Sequence, residues 1–315
     1  MRIVFWGTPE FALPSLRALI GEDHEVVGVV TQPDRPAGRR REARPSPVKM
    51  AALDEHIPVA QPERARGSEF EDWLRARDAE LSVVVAYGQI LDSAVLAIPA
   101  NGSINLHASL LPALRGAAPI QWAIARGFET TGVTVIRMVE AMDAGPILMQ
   151  VAEPIGPDET AVELSARLSE IGAEVLAEAL ALMEVGAVTE RLQDDAGASY
   201  APRVTREHAH IDWVRHARAV GCHIRAFDDV PGAWTTLESD TVKLYRPQPA
   251  PDIAHDAAPG TVLDVERGHA ELGILVACGI GAIWVREVQP AGKRRMTTVE
   301  WLRGRPFAAG TRLGA

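Results

Sequence analysis

Short runs of β-branched and aliphatic residues at 3–6, 25–30, 81–86 and 103–106 alternate with segments of helical periodicity through the first half of the chain. That alternation predicts an α/β unit, a mostly parallel sheet with flanking helices, because consecutive parallel strands need a crossover between them. Sheets of this kind hold ligands outside the carboxyl ends of their strands, so the residues just after each run are where chemistry is expected. Thr160, Ala161, Leu164, Leu168, Ile171, Val175 and Leu182 recur at helical spacing and predict a long amphipathic helix over 160–185. After the first run, Gly7-Thr8-Pro9 reads as a turn with Thr8 as helix N-cap and Pro9 at the first helical position, Pro14 delaying or kinking the helix.

The pattern changes late in the chain. The stretch 193–201 has no periodicity and is rich in Asp, Ala, Gly and Ser, which places a linker at 190–208. Beyond it, short strand-like pieces at 232–237, 242–245, 260–265, 273–277 and 282–288 sit between Gly and Pro turns and predict an all-β module, a small barrel. The expected organisation is a catalytic domain at 1–189, the linker at 190–208 and a C-terminal β-barrel domain at 209–315. A chain of 315 residues has room for two such cores.

Charge narrows the partners. The net charge is −10, so indiscriminate binding to a phosphate backbone is excluded and any nucleic-acid contact needs a local basic patch. Residues 1–205 carry 18 Lys and Arg against 29 Asp and Glu, yet 35–49 holds Arg35, Arg39, Arg40, Arg41, Arg44 and Lys49 against Glu42 alone. Such a run is either a solvated loop or a surface that reaches phosphates and base edges. Two cysteines without metal-ligand spacing, no signal-peptide pattern and no apolar run of membrane-spanning length predict a cytoplasmic protein without a structural metal. Gly7-Thr8-Pro9 is not the Gly-x-Gly-x-x-Gly fingerprint, which argues against a nicotinamide enzyme.

The most informative stretch is Ile104-Asn105-Leu106-His107-Ala108-Ser109-Leu110-Leu111-Pro112. On a strand, Asn105 and His107 share one face while Leu106 points to the other. An amide and an imidazole at a strand end suit transfer of a formyl group to an amine, which needs a donor for the oxyanion and a group to manage protons. Asp143, in Met142-Asp143-Ala144-Gly145 after a strand-like segment, brings a carboxylate to the same sheet end, where it would fix the imidazole tautomer. The same residues also fit a strand-end Asn closing a turn, a satisfied half-buried His and an Asp-containing turn.

With Gly7-Thr8-Pro9-Glu10-Phe11-Ala12, Thr31 through Arg39, Val84 through Leu91, Asn105 through Pro112, Arg115-Gly116-Ala117-Ala118-Pro119-Ile120, Asp143 with Gly145, and Gln289 through Lys293 in this order, the chain resembles the methionyl-tRNA formyltransferase family over nearly its whole length. The resemblance implies a Rossmann-like catalytic fold with an OB-like C-terminal barrel. It implies Asn105, His107 and Asp143 as the catalytic set, and Tyr87, Gly88, Gln89, Ile90, Leu91, Ser109, Leu110, Leu111 and Pro112 as the site for 10-formyltetrahydrofolate. It further implies initiator methionyl-tRNA as the partner in translation initiation, with Arg35, Arg39, Arg40, Arg41, Lys293 and Arg294 as tRNA contacts and Arg39 at the family's key arginine. A monomer is expected. The departures are local: Arg40 through Arg44 stands where a Gly-Lys-Lys type stretch is expected, Ala113-Leu114 where Arg and an aromatic are common, and Asp228-Asp229-Val230-Pro231 where Asn-Pro-Trp-Pro is expected. The nearest rival is a formyltransferase for a small amine such as a glycinamide or amino sugar, and a more distant one is a non-catalytic RNA-binding protein of the same fold.

Overall fold

The computed structural model describes residues 1–22, 24–37, 42–265 and 273–314. Strand β1 (Arg2–Gly7) leads through a short 3-10 turn (Glu10–Ala12) to helix α1 (Leu13–Gly21). Thr8 does not cap a helix. Pro9 stands at that position, and the Thr8 hydroxyl instead donates to the Tyr87 carbonyl at 3.1 Å. Pro14 lies in the first turn of α1, where its missing N–H costs nothing, so the helix begins late and is not kinked by it.

The elements that follow are β2 (Glu25–Val30), the short pair β3 (Arg35–Ala37) and β4 (Glu42–Arg44), α2 (Pro47–Asp54), β5 (Val59–Ala60), α3 (Ser68–Arg75), β6 (Leu81–Val85), α4 (Ser93–Leu96) and β7 (Ser103–His107). Then come α5 (Pro119–Ala125), β8 (Thr130–Arg137), β9 (Ile147–Pro154) and the long α6 (Ala161–Glu184). The main sheet runs in the order β5-β2-β1-β6-β7-β8-β9. Pairing is parallel from β5 to β7 and antiparallel between β7 and β8. The chain moves outward from β1 through β2 to β5, then restarts at β6 on the other side of β1. The carboxyl ends of β1 and β6 therefore flank a topological switch point, where α/β sheets open a crevice.

Register decides what faces what. Val84, Asn105 and Ile136 are cross-strand partners and share a face. On that side Trp6 packs edge-on against Phe70 and Tyr87, and its indole N–H is satisfied by Ser82 Oγ at 3.0 Å. Leu106, one residue out of phase, meets Gly172 of α6 on the opposite side.

Two compact units are present, one of Met1–Pro119, Thr131–Glu153 and Ser165–Ala201, the other of Ile120–Thr130, Pro154–Leu164 and Pro202–Ala315. The stretch set down as a linker is, in its first part, hydrogen-bonded into the first unit. Arg191 and Ile147 exchange backbone bonds at 2.8 and 2.9 Å, Arg115 N donates to Ser199 O at 2.8 Å, and Ala201 N donates to Arg115 O at 2.7 Å.

The second unit adds helix α7 (Ala217–Ala226) and strands β10 (Trp234–Leu237), β11 (Asp240–Ala250), β12 (Val262–Val265), β13 (Ile274–Ala277), β14 (Ala282–Pro290) and β15 (Met296–Thr297), then helix α8 (Thr298–Gly304). Its sheet runs β10-β11-β14-β13-β12, with β15 on β14. The two ends of this path are joined by residues 310–314: Val262 N donates to Thr311 O, Leu313 N to Gly260 O and Gly314 N to Thr236 O, each at 2.8 Å. The sheet is thereby closed into a barrel. The all-β expectation missed α7 and α8. Helix α7 buries Ala217, Val220, Gly221 and Ile224 on one stripe, and α8 starts on a capping box of Thr297 and Glu300. Among the described residues no helix is long and apolar enough to cross a membrane.

Candidate active site

His107 ends β7 and is buried, with Thr134 as its antiparallel partner. Its Nε2 lies 3.0 Å from the Leu114 carbonyl oxygen. A carbonyl only accepts, so Nε2 carries a hydrogen and Nδ1 is the ring atom free to exchange a proton. Nδ1 stands 3.6 Å from Asp143 Oδ2. The same carboxylate oxygen accepts the Gly116 N–H at 2.8 Å. Asn105 sits two residues before His107 on the same face, half-buried, and its amide makes no hydrogen bond among the described residues. The sequence-predicted trio is thus gathered in the first unit, with the Asn105 amide and His107 Nδ1 making no hydrogen bond among the described residues.

Two strained backbone positions lie here. Leu114 has φ +61° and Asp143 φ +52°, left-handed conformations that cost non-glycine residues about 1–2 kcal/mol each and persist only where surrounding bonds hold them. Leu114 is held through its N–H on Ser199 Oγ at 3.0 Å and its carbonyl on His107. Gly116, at φ +122°, must be glycine, since a Cβ there would stand 2.6 Å from the Ala201 carbonyl oxygen. Its bare backbone is what lets the N–H reach Asp143.

The loop after β7 is shaped by a buried hydroxyl. Thr134 Oγ1 donates to Ser109 O at 2.6 Å and accepts from Leu111 N at 3.2 Å and Gln150 Nε2 at 2.9 Å. Ser109 turns its own hydroxyl to Ala113 O at 2.6 Å, and Leu111 packs with Ile136 and Ile147. Ser109 and Leu111 are buried, whereas Leu110 and Pro112 are half-exposed. At the neighbouring strand end, the Tyr87 carbonyl accepts from Thr8 Oγ1 at 3.1 Å and Gln32 Nε2 at 3.2 Å, tying together the ends of β1, β2 and β6. The Tyr87 ring and Leu91 lie in the core, and burial holds the Tyr87 hydroxyl far above the ordinary phenol range. Gly88 and Ile90 are exposed, while Gln89 braces the loop on Ala65 N and on the Pro62 and Glu63 carbonyls. Of the residues expected to line the donor site, Gly88, Gln89, Ile90, Leu110 and Pro112 present surface, and Tyr87, Leu91, Ser109 and Leu111 shape it from behind.

The basic positions divide. Arg39, Arg40 and Arg41 lie outside the described residues, and Arg35 is exposed. Lys49, counted with the loop's positive charge, is spent on Asp34 at 2.6 Å; this bond and one from Gln61 hold the Asp34 carboxyl below the usual range. Lys293 is exposed, and Arg294 pairs with Glu300 at 3.1 Å while staying largely exposed. Arg295 is committed to the fold: it bonds Glu287 and Asp228 and stacks on Tyr245 at 3.9 Å. Sequence reasoning missed Arg115, Gly116, Leu114 and Gln193 as parts of the site. The Arg-Gly pair was visible as a motif, but no local signal marks Gln193.

The profile of the formyl transferase family matches residues 1–180, and that of its C-terminal domain matches residues 203–306. The fold is that of formyl transferases. A methionyl-tRNA formyltransferase from Geobacter sulfurreducens is 46% identical over 314 residues, covering 100% of this chain and 97% of that protein. Another from Methylococcus capsulatus is 45% identical over 314 residues, covering 100% of both. The chain belongs to the methionyl-tRNA formyltransferase family. Among solved structures, HypX from Aquifex aeolicus in complex with tetrahydrofolic acid superposes with a TM-score of 0.65 at 19% identity, over 96% of this chain and 47% of that one. WlaRD, a sugar 3N-formyl transferase solved with dTDP and 5-N-formyl-THF, gives the same TM-score and identity over 93% and 99%. These two likenesses are likenesses of fold.

Proposed function

We propose that this chain transfers the formyl group of 10-formyltetrahydrofolate to the α-amino group of methionine on initiator methionyl-tRNA, supplying N-formylmethionyl-tRNA for translation initiation. The observation that carries the chemistry is Asn105, His107 and Asp143 converging at one sheet end, with the Asn105 amide unspent and His107 Nδ1 turned to Asp143. The tRNA substrate rests on family membership across the whole chain.

In this reading the donor lies against Gly88, Gln89, Ile90, Leu110 and Pro112, at the carboxyl ends of β6 and β7. The amine attacks the formyl carbon, and the Asn105 amide donates to the oxygen as it becomes an oxyanion. Asp143 orients the imidazole and helps remove the ammonium proton. His107 stabilises the oxyanion or moves a proton through Nδ1, since Nε2 is committed to Leu114. The bond from formyl carbon to folate N10 then breaks, N10 takes a proton, and tetrahydrofolate leaves. Arg35, Arg39, Arg40, Arg41, Lys293 and Arg294 contact tRNA, and the protein works as a cytoplasmic monomer without a metal.

The test is formyl incorporation from 10-formyltetrahydrofolate into initiator and elongator methionyl-tRNA, for the wild type and Arg39→Ala. Selective transfer to the initiator, weakened by Arg39→Ala, is expected. No transfer to either tRNA, with transfer to a glycinamide or amino-sugar acceptor, would overturn the assignment of acceptor.

A further inference from the structure

The Asp143 carboxylate works from a left-handed backbone in a loop with little regular structure, so something outside the loop must fix it. Gln193 does so by geometry. Its Nε2 donates to the Asp143 carbonyl at 2.7 Å and to the Gly145 carbonyl at 2.8 Å. Its Oε1 accepts from Arg115 Nε at 3.1 Å and Nη2 at 2.8 Å. Buried Arg115 is held in turn by Asp195 at 2.8 Å and by backbone bonds to Ser199 and Ala201. Two carbonyls on one side and a guanidinium on the other admit one orientation of the amide, and only a side chain with donors at one atom and an acceptor at the other satisfies both.

We propose that Gln193, aligned by Arg115, is a positioning residue for Asp143: it sets the carboxylate against His107 Nδ1 and Gly116 N and takes no part in substrate binding. This rests on Asp143 being the catalytic carboxylate. The strap 191–201 then belongs to the catalytic apparatus.

The experiment compares Gln193→Ala and Gln193→Glu, alone and with Asp143→Ala, in steady-state formylation of methionyl-tRNA across pH. Gln193→Glu keeps a partner for Arg115 but turns acceptors toward both carbonyls, so it separates loss of alignment from loss of the strap. Each single variant is expected to lower kcat about 10- to 100-fold with both KM values within about twofold, and to move the kcat–pH profile. In the Asp143→Ala background, adding Gln193→Ala should change kcat by less than about twofold, because a residue acting only through Asp143 has nothing left to align. Multiplying losses in the double variant, or a rise in KM at unchanged kcat, would overturn the proposal. Near-normal turnover of Asp143→Ala alone would overturn the catalytic reading beneath it. If Gln193→Ala does not fold, Gln193→Glu alone carries the comparison.

Discussion

Replacing Asn105 with alanine separates chemistry from folding more cleanly than any other change in this site. The side chain is half-buried on β7 and has no hydrogen bond to lose among the described residues, so truncation strands no partner there and leaves little cavity. Stability should fall by no more than about 1 kcal/mol, or about 2–4 °C in Tm for a unit of this size. Turnover should suffer far more. One well-aimed oxyanion donor is worth about 10²–10³ in kcat, about 2.7–4 kcal/mol of transition-state stabilisation, and little of it is expressed in the ground state. The assay is kcat and KM for formyl transfer beside a urea unfolding curve. A kcat within about threefold of the wild type would refute the oxyanion role. A loss of stability as large as the loss in transition-state binding would refute the premise that the side chain is held in reserve.

Three further expectations concern the second unit. Burial pushes His223 down to about 4 from an ordinary 6.5, its buried Nε2 having no hydrogen-bond partner among the described residues. The unfolded chain therefore binds the extra proton first, and the histidine's contribution to stability, full above about pH 6.5, is lost as pH falls toward 4, by up to about 3 kcal/mol. The urea-derived stability of His223→Phe should lose less than that of the wild type between pH 7 and 4.5, and parallel curves would refute the burial argument. Arg295→Ala should cost about 2–3 kcal/mol by leaving buried Asp228 without its cation, while Lys293→Ala should stay within about 0.5 kcal/mol yet weaken tRNA binding. Equal stability of the two variants would show that the assignment of Arg295 to the fold is mistaken.

What could be read in the sequence follows the range of the interactions involved. Strands β1, β2, β6 and β7 and the 160–185 helix, observed as Ala161–Glu184, were legible because their apolar patterns are local, whereas β5 and β9 of the same sheet were not read. Asn105 and His107 were legible as a pair because a strand dictates their common face. Thr8 was misread because a cap and a tertiary donor look alike in sequence: its hydroxyl bonds a carbonyl some eighty residues away. Tyr87 gave no sign that its ring turns into the core. Helix α7 has only three apolar turns and is capped by His216, an uncommon choice. The strap was opaque for a different reason. Its bonds run to loops about fifty and eighty residues back, so no period exists within it to be seen.

The barrel is completed by its last few residues. Until 310–314 are in place, β12 is an open strand edge and β10 is covered only at Trp234, by Ile211, so both keep unpaired backbone groups able to recruit another chain. During synthesis the last residue of the strap, Ala201, leaves the ribosome about a hundred residues before Leu313. The first unit can therefore be whole while its companion still waits with its barrel unclosed. The interval between those two moments is when this chain is most exposed to joining the wrong partner.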